Sequence, residues 1–88
     1  MTPLTSLERH QLLHAVTEHD RKQSTRKGYN RYALAHYLAA VENVCNAVNC
    51  GSTRRDALVD NFCGRLLDIC LKALNMDKST REEQMGGL

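Results

Sequence analysis

The stretch "RKGYNRYALAHYLAAVENVCNAVNCG", residues 26–51, decides the fold. It opens on basic residues and then turns almost wholly apolar. Asn30 is a fair helix N-cap, because its side-chain oxygen can accept from an unpaired amide of the first turn. Gly51 supplies the left-handed residue that closes many helices. The spacing therefore predicts a helix from near Asn30 to near Asn49. Leu34, Tyr37, Leu38, Val41, Val44, Cys45 and Val48 form one stripe of it at helical period. The opposite side carries Ala35, Ala39, Ala40 and Ala47 with Tyr32, His36, Asn43 and Asn46, and Glu42 is the only charged residue between Tyr32 and Asn49. A helix packed on one side carries lysines and glutamates on its wet side. Both sides of this one are therefore expected to be at least partly covered. Ala35, Ala39, Asn43 and Asn46 form a candidate oligomer interface, the alanines letting another helix backbone come close.

Downstream, "NCGS" reads as the tight turn of a helical hairpin. The pattern Thr53-Arg54-Arg55-Asp56 resembles a capping sequence and starts a third predicted helix that runs to about Asn75. Leu58, Val59, Phe62, Cys63, Leu66, Leu67, Ile69, Cys70, Ala73 and Leu74 span roughly half of its circumference, where one partner helix needs about 100°. That arc requires two neighbours. The second helix is one; the first helix, or a second subunit, is the other.

Upstream, Thr5 and Glu8 fit a capping box in which each side chain satisfies the other's backbone amide. The helix that follows, "LERHQLLHAVTEHD", places Leu12, Leu13, Ala15 and Val16 on one face with His19 beside them. Leu7, His10 and His14 point away. "RKQSTRKG" holds no apolar residue, ends in glycine and reads as a frayed helix end plus a loop. The expected fold is all-α: a three-helix arrangement with a central αα-hairpin, completed by self-association, with a dimer favoured. It forms one domain over residues 1–76, and the polar residues 77–88 form a flexible tail.

A chain of 88 residues buries a small core, and oligomerisation is a common supplement at this size. The net charge of +2 is too mild to imply a polyanion partner by itself. Pro3 is the only proline, so long helices are allowed. The opening residues lack the apolar core of a signal peptide, and no run approaches membrane-spanning length. The expected location is the cytoplasm, with Cys45, Cys50, Cys63 and Cys70 reduced.

Zinc modules present cysteines as closely spaced pairs on turns. Here four, twelve and six residues separate successive cysteines, and Cys45, Cys63 and Cys70 project along apolar stripes as small hydrophobes. Cys50, at the turn, is expected to be the most reactive. His10 and His14 are an i, i+4 pair, but Gln11 stands where a metalloprotease motif has glutamate, and a third ligand, such as His36, would have to come from elsewhere. No metal and no cofactor are expected. No phosphate loop, serine triad or catalytic cysteine signature is present, so no enzyme is expected either.

The basic cluster is the most informative site. Arg21, Lys22, Arg26, Lys27 and Arg31 lie within residues 21–31, which contain no acid. Tyr29, Tyr32 and His36 follow on one face. Arginine beside tyrosine suits contact with RNA or single-stranded DNA. A charge run is more often a solvated loop leading into a helix, here with the tyrosines packed at a helix edge, and that reading is favoured. Arg54 and Arg55 lie about 30 Å away, past the far end of a helix of about twenty residues. Arg26, Lys27, Tyr29, Arg31, Tyr32 and His36 are the candidate partner-binding residues.

The opening "TPLTSLERHQLLHAVTEHD", followed by a helical hairpin, resembles small accessory proteins of enterobacterial prophages and P4-like phage satellites. Those of them that are understood often act by binding a host or helper-phage protein. The resemblance implies an interaction protein whose partner is a phage or host regulator, and it carries over no functional residue. The leading expectation is thus a non-enzymatic helical module that self-associates and binds a protein. The alternative is a nucleic-acid-binding regulator using residues 21–31, and the third is a metal- or redox-responsive sensor.

Overall fold

The structure, a computed structural model, describes residues 3–76. The tail expected over 77–88 lies outside the described residues. Among the described residues four helices follow in order: α1 (Ser6–Gln23), α2 (Ala33–Asn49), α3 (Arg54–Asn61) and α4 (Gly64–Ala73). The fold is all-α, with one helix more than the periodicity predicted.

Local chemistry sets most of the helix ends. At α1 the capping box forms in both directions: the Glu8 amide donates to Thr5 Oγ1 at 3.0 Å, and the Thr5 amide donates to the Glu8 carboxylate at 2.9 Å. At α3 the Asp56 amide donates to Thr53 Oγ1 at 3.0 Å. The end of α2 is a Schellman motif. Gly51 takes φ +107°, its amide donates to the Val48 carbonyl at 3.1 Å, and the Ser52 amide reaches the Ala47 carbonyl at 2.9 Å. The end of α4 repeats the motif with Asn75 at φ +57°.

The start of α2 differs from expectation. Asn30 does not cap it. Its side-chain oxygen accepts from the Tyr32 amide at 2.9 Å and its carbonyl from the Ala33 amide at 3.0 Å, which makes a turn over residues 30–33. Such a local bond competes with helix formation, so α2 starts at Ala33 with no side-chain cap.

The larger correction concerns the third predicted helix. Phe62 (φ −134°, ψ 156°) and Cys63 (φ −144°, ψ 167°) are extended, and Gly64 has φ +59°. The break resets the helical phase. In a continuous helix Ala57 and Leu71 fall outside the apolar arc; here both are buried. The α4 stripe becomes Leu67, Cys70, Leu71 and Leu74, an i, i+3, i+4, i+7 set of its own. Val59 and Cys63, expected inside, are exposed.

The four helices contact one another in a ring: α1 with α2, α2 with α3, α3 with α4, and α4 with α1. The break makes this ring, since it lets α3 lie on α2 while α4 lies on α1. The first helix thus packs within its own chain. Leu12 and Val16 of α1, Val41 and Val44 of α2, Leu58 of α3 and Cys70 of α4 have no solvent exposure and meet at the centre. Each such Val or Leu contributes about 1.5–3 kcal/mol of burial. Two ion pairs fix the helices laterally. Arg54 holds both Glu8 carboxylate oxygens at 2.6 and 3.0 Å, joining the start of α3 to the start of α1. Arg9 pairs with Glu42 across α1 and α2. Among the described residues, no helix is long and apolar enough to cross a membrane.

Candidate functional site

The loop between α1 and α2 is folded back on itself. The Ser24 amide donates to the Asp20 carbonyl at 2.8 Å and the Arg26 amide to the Gln23 carbonyl at 2.9 Å. The Tyr29 hydroxyl donates to the carboxylate of Asp20, the one buried charged residue among the described residues. That hydrogen bond, with burial and the carboxylate charge added, holds the Tyr29 hydroxyl above the usual tyrosine range. Tyr29 is thereby held towards Asp20 and half-buried, whereas Tyr32 and His36 are exposed.

The same fold-back opens a cleft of about 640 Å³ between the loop and the start of α4. Arg26, Lys27, Tyr29, Tyr37 and Arg65 line it, with His19 behind them. The rings of His19 and Tyr37 meet edge to face at 6.0 Å. Arg26 and Lys27 were legible as candidates; Arg65 was not. Its position follows from the break at residues 62–64, and no local pattern reports that.

The other cations separate into two groups. Arg21 is bound to Glu18 at 2.7 Å, which holds the Glu18 carboxyl below its ordinary value. Arg54 is committed to Glu8, and Arg55 donates to the Met76 carbonyl at 3.4 Å. The second basic end inferred from Arg54 and Arg55 is therefore tied into the scaffold. Lys22 and Arg31 are exposed and lie outside the cleft lining.

The second surface is the open side of α2. Ala35, Ala39, Asn43 and Asn46 are all exposed, so nothing among the described residues covers them. Tyr32 is 73% exposed, and His36 beside it is exposed too. Tyr32, His36, Ala39, Asn43, Asn46 and Cys50 follow at alternating spacings of four and three, the period of a coiled-coil seam. None carries a formal charge.

The cysteines and histidines do not converge. Burial pushes the Cys70 thiol up to about 12. Burial, with Glu42 nearby, also raises the Cys45 thiol. Cys50 and Cys63 are exposed. Cys63 departs from its expected apolar stripe because the helix ends there. His10 and His14 line a shallow depression with Ala15 and Ala73, whereas His36 packs against the Tyr37 ring at 6.5 Å. Among the described residues, no three His, Cys, Asp or Glu side chains form a group that could hold a metal ion.

The site and fold together define an all-α, four-helix domain with an uncharged helix face and a basic, aromatic-lined cleft. Compared with protein-family models, curated proteins and solved structures, the chain matches none of them.

Proposed function

We propose that this chain is a small, non-enzymatic helical interaction protein that self-associates through the open face of α2 and binds a protein partner beside it. One observation carries the reading. Six exposed residues from Tyr32 to Cys50 lie at seam spacing without a charge among them. A wet helix face of this length normally carries lysines and glutamates. Small residues at Ala35 and Ala39 allow close approach of a second helix, and Asn43 and Asn46 can bond across the contact. Tyr32 and His36, with exposed Arg31, supply an aromatic and polar rim of the kind enriched at protein interfaces. In line with the resemblance of the N-terminal third to phage accessory proteins, the partner is a phage or host regulator, met in the cytoplasm.

Light scattering and sedimentation equilibrium test the assembly. Ala39→Arg should convert the wild-type dimer to a monomer, and a wild type already monomeric at high micromolar concentration refutes it. Tyr32→Ala should weaken capture of the partner from host extract while leaving the helical content of the chain unchanged. The alternative, a nucleic-acid-binding regulator, gains support from one observation: Arg65 joins Arg26 and Lys27 at a single cleft.

A further inference from the structure

We infer that the cleft between the α1–α2 loop and α4 is a binding site for a nucleoside phosphate group, with Arg26, Lys27 and Arg65 on the phosphate and tyrosine rings beside the base. This goes beyond the protein-binding reading and uses a different surface.

Charge comes first. Arg9, Arg21 and Arg54 each have a carboxylate partner. Arg26, Lys27 and Arg65 form no ion pair among the described residues, yet they converge on one cavity from a loop and a helix far apart in sequence. The nearby Asp20 carboxylate accepts from the Tyr29 hydroxyl and lies outside the cleft lining, so its one charge opposes three cations. Like charges gathered in a concavity raise the local potential and draw in anions. Two arginines give forked donors that match phosphate oxygens, and the lysine adds a point charge.

The walls decide between anions. An acidic peptide needs only cations, whereas this cleft also contains Tyr29 and Tyr37. Aromatic rings beside arginines are what unpaired bases stack on. The Asp20 hydrogen bond holds Tyr29 in position before any ligand arrives, so less conformational freedom is lost on binding. A volume of about 640 Å³ falls within the range of small-ligand sites. It suits one nucleotide, free or within a single strand. A rigid duplex keeps its bases stacked and offers none to the tyrosines.

Fluorescence anisotropy with a labelled oligothymidylate, competed by free nucleoside triphosphate, by duplex of mixed sequence and by polyglutamate, tests the assignment on the full chain. Three phosphate contacts on a single strand predict a log–log salt slope of about −2. Arg65→Gln should weaken binding about tenfold, as for loss of one charge-assisted bond, and flatten the slope by about 0.7. Lys72→Gln, an exposed cation outside the cleft lining on the same helix, should change neither. Arg65 is exposed, so folding is expected to survive, and circular dichroism checks it. Binding of the oligonucleotide with this pattern supports a strand as the source. Competition by triphosphate alone, still lost in Arg65→Gln, supports a free nucleotide. Preference for polyglutamate or duplex, equal losses in the Arg65 and Lys72 variants, or no binding at low salt each overturn the proposal.

Discussion

Replacing Gly64 by alanine distinguishes the broken helix from a continuous one by the sign of the effect. At φ +59° the backbone of residue 64 is left-handed, and a Cβ placed there meets no atom within 4 Å. No clash is created, so the penalty is the intrinsic strain of a left-handed L-residue, about 1–2 kcal/mol. Alanine also reduces the entropy of the unfolded chain, which offsets about 0.4–1 kcal/mol. The net loss is about 1 kcal/mol, or a fall in Tm of about 4–8 °C for a domain of this size. In a helix running unbroken from Thr53 to Asn75 the same change would replace glycine by the best helix former and gain about 1 kcal/mol. Asparagine tolerates the left-handed region better than alanine, so Gly64→Asn should lose less than Gly64→Ala. Thermal melts followed at 222 nm, at one protein concentration because assembly shifts Tm, decide the matter. A rise in Tm for Gly64→Ala refutes the break and, with it, the position of Arg65 in the cleft.

Four further expectations follow from the same geometry. Leu71, 1% exposed, should cost about 2–5 kcal/mol on truncation to alanine, and Val59, 50% exposed, no more than about 0.5 kcal/mol; urea melts showing the reverse order would restore the unbroken helix. Native protein should offer Cys63 to Ellman's reagent and withhold Cys70 until unfolding. Because the Cys70 thiol is pushed up to about 12, its contribution to stability is whole below the ordinary thiol value of ~8.5 and is lost as pH rises towards the raised one; Cys70→Val should therefore lose less stability than wild type between pH 8 and pH 10. Tyr29 is raised by its hydrogen bond to Asp20, so that contribution is present below the usual tyrosine value of ~10 and is lost above it. Asp20→Asn should bring the Tyr29 titration down, and an NMR titration that does not move refutes the contact.

The parts of the fold legible in the sequence are those fixed by neighbours along the chain. Thr5, Thr53 and Gly51 mark helix ends because caps and left-handed turns act over three or four residues. Leu12 and Val16 are inward because one helical period puts them there. The break at residues 62–64 escaped because the residues from Leu58 to Leu74 satisfy an unbroken period well enough. A single interior glycine costs only about 1 kcal/mol against that pattern. What decides is tertiary: only with the break can Ala57 and Leu71 join Leu58 and Cys70 inside. The same non-local step brings Arg65 to Arg26 and Lys27. The contact of Tyr29 with Asp20 is hidden for a related reason. Its partner Asp20 lies on the preceding helix, and the loop must reverse before the two can meet.

The open face of α2 also predicts how two copies would lie together. Pairing along Tyr32, His36, Ala39, Asn43, Asn46 and Cys50 can run parallel or antiparallel. Parallel pairing sets each residue against its own copy. Tyr32 and His36 then crowd one end while Ala39 leaves a gap in the middle, and the two basic clefts lie side by side. Antiparallel pairing sets Tyr32 against Cys50, His36 against Asn46 and Ala39 against Asn43, a larger residue facing a smaller one each time. Helices packed on such a seam keep an even separation of about 8–10 Å, and the two clefts move to opposite ends, where their like charges repel less. Antiparallel pairing is therefore expected. Cys50 reports on it directly, because a disulfide requires Cα atoms within about 7 Å. In a Cys63→Ser background, mild oxidation should leave Cys50 uncrosslinked, since its copy lies at the far end of the seam. Adding Tyr32→Cys should then produce a covalent dimer through Cys50 of one protomer and residue 32 of its partner. Ready Cys50–Cys50 crosslinking without the added cysteine would mean that the helices run parallel and that the pairing of large with small residues does not govern the contact.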